Sequence, residues 1–289
     1  MFFQVVVSGL AVGSLYSLVA IGLVLIYKTS EVVNFAQGEM AMFSTFIAYE
    51  LLVKWHFSYV ISAIVALVFA FFMGWLTYRL FLARLAKAGV LTQVIATLGL
   101  FLVLRGIAGA VWGNDPISFP ALFTQQTMHI GSVVITHYQI AIIVITAILT
   151  LAFYGMLRFT RFGLSVQAVA QNIFAARLMG IRTHSVFSFT WAITTLLGAI
   201  SGLLVVPTLF LSPTFMELIT VKAFAAAVLG GFGSLPGAVI GGFVLGVIEN
   251  VFGFYVSTAL KSTFVFLFIV VVLYLKPTGL FGVKKVNKA

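Results

Sequence analysis

The stretch RFTRFGLSVQAVAQNIFAARLMGIRTHSVF (residues 158–187) is the longest polar interruption in a chain otherwise made of apolar runs. It carries Arg158, Arg161, Arg177 and Arg182 and no acidic residue. Ala168, Ala170, Ala175 and Ala176 are strong helix formers, with Gly163 marking the start of a helix and Gly180 its stop. The segment is too polar to cross lipid. Yet Ala168, Asn172, Ala175 and Ala176, spaced by three and four, give it a stripe of small side chains. Such a face is expected to dock in a protein partner; the alternative is an amphipathic helix lying in the membrane interface.

Outward from this segment the chain reads as bilayer-embedded. Of its 289 residues 62% are hydrophobic and 8% charged, and the mean hydropathy is +1.21. That is more apolar surface than a soluble domain buries, so the expectation is a polytopic membrane protein with no separate soluble domain. The first charged side chain is Lys28, which makes the apolar opening too long for a cleaved signal segment and marks it as a retained span. There is no cysteine, hence no disulfide, thiolate nucleophile or zinc–thiolate site.

Apolar runs fall at about 4–27, 35–53, 57–78, 90–112, 136–157, 185–206, 215–230, 236–256 and 262–275. The fold expected is an all-α membrane protein of about eight to nine transmembrane helices, two of them broken at glycines, in pseudo-repeated halves. It forms one transmembrane domain over residues 1–289, with a polar loop at 158–184 and a second loop at 113–135. If every run crosses, Lys28, Arg79, Arg84, Lys87, Arg158, Arg161, Arg177, Arg182, Lys276, Lys284, Lys285 and Lys288 share one side. Only Lys54 and Lys261 fall on the other. The net charge of +10 therefore reads as the positive-inside distribution, with the 158–184 loop and the C-terminus cytoplasmic, and not as a nucleic-acid surface.

Two segments place polar or glycine-rich sequence where lipid demands apolar helix. VNFAQGE (residues 33–39) opens the second run with Asn34, Gln37, Gly38 and Glu39. KAFAAAVLGGFGSLPGAVIGG (residues 222–242) holds Lys222 and is interrupted by Gly230, Gly231, Gly233 and Pro236. Irregular backbone at membrane depth is tolerated where protein buries it or it lines a wet cavity, so both are candidate parts of a translocation path. Small-xxx-small pairs at Gly9/Gly13, Gly198/Gly202, Gly237/Gly241 and Gly242/Gly246 read as helix-packing faces. The 113–135 loop has Asn114, Asp115, Pro116 and Pro120 but no Lys or Arg. His129 and His137 have no carboxylate partner at metal-ligand spacing.

The pattern Gly163, Ala168, Asn172, Ala176, Gly180, Ile181 resembles the cytoplasmic coupling loop of ABC-importer permeases of the branched-chain amino acid class. The two irregular segments and the closing KPTGLFG (residues 276–282) resemble the same family, so the likeness runs over essentially the whole chain. It implies a bacterial inner-membrane permease subunit with a second homologous permease, two ATP-binding subunits carrying ATP and Mg, and a periplasmic binding protein; the length of the 113–135 loop makes it a surface structure expected to meet that protein, the alternative being a bland external connection. The implied cargo is branched-chain or other hydrophobic amino acids; relatives of the class carry urea, amides or small aromatic and carboxylic acids. Arg161, Gly163, Ala168, Asn172, Ala175, Ala176, Gly180 and Ile181 would couple to the ATPases. Asn34, Gln37, Gly38, Glu39, Lys222, Gly230, Gly231 and Gly233 would line the path. Gln37 stands where many relatives carry His, and Gln167 where they carry Arg.

No phosphate-binding loop of the form G-x-x-x-x-G-K-[ST] occurs, so ATP hydrolysis and its cofactors are expected on partner subunits. The acidic residues Glu31, Glu39, Glu50, Asp115, Glu217 and Glu249 include no clustered pair for acid–base work, and no triad is spaced for nucleophilic catalysis. A channel or ion-coupled carrier would explain the broken segments but not the small-faced polar helix. Arg105 is expected to snorkel or pair, and Glu249 to be interfacial. Glu39 and Lys222 lie roughly 11 Å apart in depth by helical rise, borderline for two extended side chains; because a lone charge at such depth is costly, they are expected either to pair with each other or to line or gate the path.

Overall fold

The computed structural model describes residues 1–86, 88–121, 126–130 and 133–282. Lys87, Lys284, Lys285, Lys288 and part of the 113–135 loop lie outside the described residues. In chain order the helices are α1 (Phe2–Ser30), α2 (Gln37–Tyr49), α3 (Tyr59–Thr77), α4 (Ala83–Leu85), α5 (Val90–Trp112), α6 (His137–Phe159), α7 (Arg161–Gln171), α8 (Ile173–Leu178), α9 (Thr183–Leu209), α10 (Glu217–Gly230), α11 (Leu235–Tyr255) and α12 (Lys261–Leu275). α2 runs on through a π-helical turn at Glu50–Lys54, and Tyr78–Leu82 joins α3 to α4 in the same way.

The protein is an all-α membrane protein. Among the described residues six helices are long and apolar enough to cross a bilayer: α1, the α3–α4 run, α5, α6, α9 and α11. α2, α10 and α12, with 13, 14 and 15 residues, are shorter than the about 20 that a straight crossing takes. With its π-helical continuation to Lys54, however, α2 comes close to that length, so six helices meet the criterion and the expected eight to nine crossings rest on these three shorter ones. The most apolar windows of α5 and α6 are only 17% and 22% buried, which requires lipid around them, whereas that of α1 is 89% buried.

The chain packs as two compact units interleaved in sequence. The first comprises Met1–Val24, Phe123–Thr150 and Val221–Ala289. Its core is built on glycine: a methyl placed on Gly9 would stand 2.7 Å from the Val247 Cα, and one on Gly13 would stand 2.7 Å from the Gly242 carbonyl. Gly246 in turn lies against the Gly13 backbone. The two small-residue pairs Gly9/Gly13 and Gly242/Gly246 are thus the two halves of one α1–α11 contact, each making room for the other. Gly241 sits against the Ala226 carbonyl and Gly237 against that of Gly230, which closes α10 on α11.

The second glycine-rich interruption is a turn at residues 231–234 between α10 and α11, not a break within one helix. Gly231 has φ +95°, and Ser234 caps α11 by accepting from the Gly237 N–H at 3.1 Å. The closing residues 276–282 dock on this turn. Leu280 N–H donates to the Leu229 carbonyl (2.7 Å), Phe281 N–H to that of Gly230 (3.1 Å), and Lys276 Nζ to the Leu280 carbonyl (2.6 Å). Two motifs distant in sequence therefore form one backbone-paired element. The first unit also holds two antiparallel strands, β1 (Thr127–Ile130) paired with β2 (Val133–Thr136), within the stretch read as a loop between apolar runs.

The second unit comprises Leu25–Leu122 and Leu151–Thr220. Here α2, α3 and α9 pack through small residues: Gly202 against Thr45, Gly198 against Ala41, and Gly74 against the Trp191 carbonyl and Thr195. Ala36, Met40 and Leu104 form a buried cluster extended by Phe43, Met73, Leu100 and Phe101. Phe46 stacks on Trp112 with centroids 4.7 Å apart, and the indole N–H of Trp112 donates to Glu50. Beyond α5, Ile117 exchanges two backbone hydrogen bonds of 2.8 Å with Leu211.

Candidate functional site

In the second unit the polar entry to α2 is built by local hydrogen bonds. The Asn34 side-chain oxygen accepts from the Ala36 N–H at 3.0 Å, turning the chain into α2, and Thr97 Oγ1 donates weakly to the Val33 carbonyl at 3.4 Å. Asn34 and Gln37 are fully buried, and Gly38 lies against the Thr220 side chain, where no larger residue fits. Glu39, in the first turn of α2, faces the favourable end of that helix dipole. Its partner is Arg105 of α5, whose Nη2 lies 3.3 Å from Glu39 Oε1 and 2.8 Å from Glu217 Oε2. The guanidinium also stacks 4.5 Å over the Phe101 ring. One cation thus joins a carboxylate 3% exposed to another 52% exposed.

In the first unit Lys222 of α10 donates to Glu249 of α11 at 2.5 Å, and both side chains are almost wholly buried. The other Glu249 oxygen accepts from the Tyr16 hydroxyl of α1 at 2.9 Å, and Lys261 Nζ lies 3.9 Å from Oε1. The expected Glu39–Lys222 pair is therefore replaced: each charge is neutralised within its own unit, by Arg105 and by Glu249. The depth estimate measured distance along the membrane normal only and carried no information on which helices neighbour each other. Glu249, expected at the interface, is buried. Arg105 is a paired residue, as one of its two expected roles had it. Gly230 and Gly231 lie in the backbone contacts described above, while Gly233 is exposed with open space around it.

The polar 158–184 segment is not one helix. Asn172 adopts an extended conformation (φ −159°, ψ 108°) that ends α7, and its side chain then caps α8 by accepting from the Ala175 N–H at 3.0 Å. Asn is a weak helix former because its amide competes for such local bonds, and here that competition prevails. The start lies at Thr160, which accepts from the Gly163 N–H at 3.1 Å; Gly163 itself abuts the Leu157 carbonyl. Gly180, at φ +81°, ends α8 and lets the Ile181 N–H reach back to the Ala176 carbonyl at 3.0 Å.

The expected stripe of small side chains is accordingly corrected. Ala176 is 3% exposed and points into its own chain; Ala168 is half-buried, and only Asn172 and Ala175 are open. The exposed face of this segment is instead bulky and apolar: Leu164, Phe174, Leu178 and Met179, with Phe174 at 72% and Met179 at 83% exposure. Phe174 and Leu178 stand one helical turn apart. Arg161 is exposed at the start of α7, and the amide of Gln167 donates to the Leu157 carbonyl at 2.8 Å. Among the described residues no group of three or more His, Cys, Asp or Glu is placed to hold a metal.

Lipid-facing apolar helices, charges buried in pairs on separate units, and a polar segment whose helices are short define a multi-pass membrane protein of the transport class. The chain belongs to the family described as branched-chain amino acid transport system permease component, which matches residues 5–273. It is 31% identical to the high-affinity branched-chain amino acid transport system permease protein LivH of Salmonella typhimurium, over 99% of this chain and 97% of that protein. The figures for LivH of Escherichia coli are the same. BraD of Pseudomonas aeruginosa, a permease of the same description, is 29% identical over 99% of this chain and 98% of its own length. The autoinducer 2 import system permease LsrC of Yersinia pseudotuberculosis is 29% identical over 66% of this chain and 52% of its own. No solved structure matches.

Proposed function

We propose that this chain is the membrane-spanning subunit of an ABC importer for branched-chain and other hydrophobic amino acids, seated in a bacterial inner membrane with the 158–184 segment and the C-terminus cytoplasmic. A second homologous permease completes the path, two ATP-binding subunits supply the stroke with ATP and Mg bound to them, and a periplasmic binding protein delivers cargo near the 113–135 loop. The observation that carries this reading is the α7–α8 segment. A non-spanning pair of short helices, capped by Thr160 and Asn172, presents Phe174, Leu178 and Met179 uncovered on a segment whose Arg161, Arg177 and Arg182 are also exposed. Exposed large apolar groups on a segment too polar to enter lipid fit a protein groove better than water. The basic loops on one side of the apolar runs support the orientation.

In this reading Arg161, Asn172 and Ala175 contact the ATPase directly, while Gly163, Ala168, Ala176, Gly180 and Ile181 hold the shape of the docking element. Asn34, Gln37, Gly38 and Glu39 on one unit, and Lys222, Gly230, Gly231 and Gly233 on the other, belong to the parts that flank the path. Their partners Arg105, Glu217 and Glu249 join them. Coexpression with the ATP-binding subunits of the same importer, purification through a tag on this chain, and leucine uptake into proteoliposomes with loaded binding protein test the reading. ATP-dependent leucine accumulation is expected; leucine flux without ATPase subunits would point to a channel or carrier.

A further inference from the structure

The first unit holds a cavity of about 500 Å³ between the start of α1, the end of α11 and the start of α12. Gln4, Ser8, Asn250, Thr258 and Lys261 give it polar walls, and Met1, Val5 and Phe254 apolar ones. That volume is within the range of small-molecule sites, roughly 300–1,000 Å³. Lys261 connects the cavity to the buried ion pair. Its stem lies along Gly253, with Cδ 3.4 Å from where a Cβ would stand, and its ammonium is 3.9 Å from Glu249 Oε1. Glu249 is already satisfied by Lys222 at 2.5 Å and Tyr16 at 2.9 Å. Two ammonium groups therefore face one carboxylate, which leaves one positive charge in excess at the cavity floor. Lys261 holds it, being 42% exposed and only loosely engaged.

We propose that this cavity receives the carboxylate of a small amino acid with an apolar side chain, with Lys261 as its anchor; this rests on the import reading above and adds the group that first engages the cargo. Lys261 exchanges a long contact with Glu249 for a direct one with the ligand carboxylate, and Glu249 keeps Lys222 and Tyr16, so no buried charge is stranded. The ligand ammonium meets the oxygens of Asn250, Gln4 or Ser8, and its side chain rests on Val5 and Phe254. A charge-assisted contact to an exposed lysine makes a weak site suited to passing cargo on.

The test uses the assembled complex without binding protein, in maltoside detergent, by ligand-observed saturation-transfer NMR. The probes are L-leucine, 4-methylpentanoate (carboxylate without ammonium), leucinol (ammonium without carboxylate) and a short-chain phosphatidylglycerol. Leucine and 4-methylpentanoate should bind and leucinol should not. Lys261→Met should weaken leucine binding about tenfold, the scale of one hydrogen bond to a charged group, while Lys261→Arg retains it. Unchanged melting of the Lys261→Met complex shows that the loss is local. Equal binding of leucinol, indifference to Lys261→Met, or Lys261-dependent binding of the phospholipid alone would overturn the proposal. Leucine uptake by the wild-type complex is measured in parallel. Uptake with no Lys261 effect on binding refutes the cavity and spares the import reading; carboxylate binding through Lys261 without uptake does the reverse.

Discussion

Replacing Glu249 by Leu removes the carboxylate that neutralises Lys222 in the interior of the first unit. Lys222 is 3% exposed, and the Tyr16 ring, its centroid 5.7 Å from Nζ, gives an ammonium far less than a carboxylate does. Breaking a buried pair from one side costs about 3–5 kcal/mol, because the remaining charge is left without a partner. The mirror change, Lys222→Met, costs less, because Glu249 still accepts from Tyr16 at 2.9 Å and Lys261 can close from 3.9 Å. Lys222→Met should therefore fall at the lower end of that range and Glu249→Leu at the upper. The double variant Lys222→Met/Glu249→Leu exchanges the pair for apolar groups and should recover most of the loss. Thermal melting of the tagged protein, followed by size-exclusion chromatography of heated membrane extracts, reads the order directly. The wild type and the double variant should melt highest, then Lys222→Met, then Glu249→Leu. A double variant that melts as low as Glu249→Leu would refute the reasoning, since the defect would then be lost shape and not a stranded charge.

Close backbone packing and carboxylate burial set the other expected outcomes. Gly13→Ala and Gly246→Ala push a methyl into backbone across the α1–α11 contact and should each cost about 1–3 kcal/mol in melting experiments. Gly99→Ala and Gly155→Ala, with open space around them, should be neutral or stabilise by about 0.4–1 kcal/mol. In the Arg105 trio, Glu39→Gln should cost about 1–3 kcal/mol because Glu39 is buried. Glu217→Gln should cost under about 1 kcal/mol, since that carboxylate is half-exposed and screened. Equal losses for the two glutamates would show that burial does not set the worth of these contacts.

Much of the architecture is legible in the residues because lipid leaves few options. Each long apolar run became a helix, and the pairs Gly9/Gly13 and Gly242/Gly246 read as packing faces and prove to be mutual partners. Partner choice across the chain was not legible. Glu39 and Lys222 drew notice as buried charges, but periodicity says nothing of which helices meet, and Arg105 and Glu249 were the partners. The polar segment shows a different limit. Alanine propensity pointed to one helix, and a single Asn172 cap outweighed it by ending one helix and starting the next. Beyond that break Ala176 lies inward and Phe174 and Met179 lie outside. The paired strands at residues 127–130 and 133–136 were legible too: Gly131-Ser132 between them is a two-residue hairpin signal, and it went unread beside the stronger membrane pattern.

The proposed coupling of the α7–α8 face to ATP-hydrolysing subunits has a direct test. Substitution of Phe174, Leu178 and Met179 together by Ser changes only exposed side chains and leaves the Thr160 and Asn172 caps in place. Quantitative copurification of the ATPase subunits with this variant, alongside leucine uptake into proteoliposomes, measures the claim directly. The expected result is normal membrane insertion and melting, with ATPase recovery and ATP-driven uptake both reduced about tenfold or more, as for the loss of central interface anchors. Wild-type ATPase recovery and uptake from the triple-serine variant would contradict it.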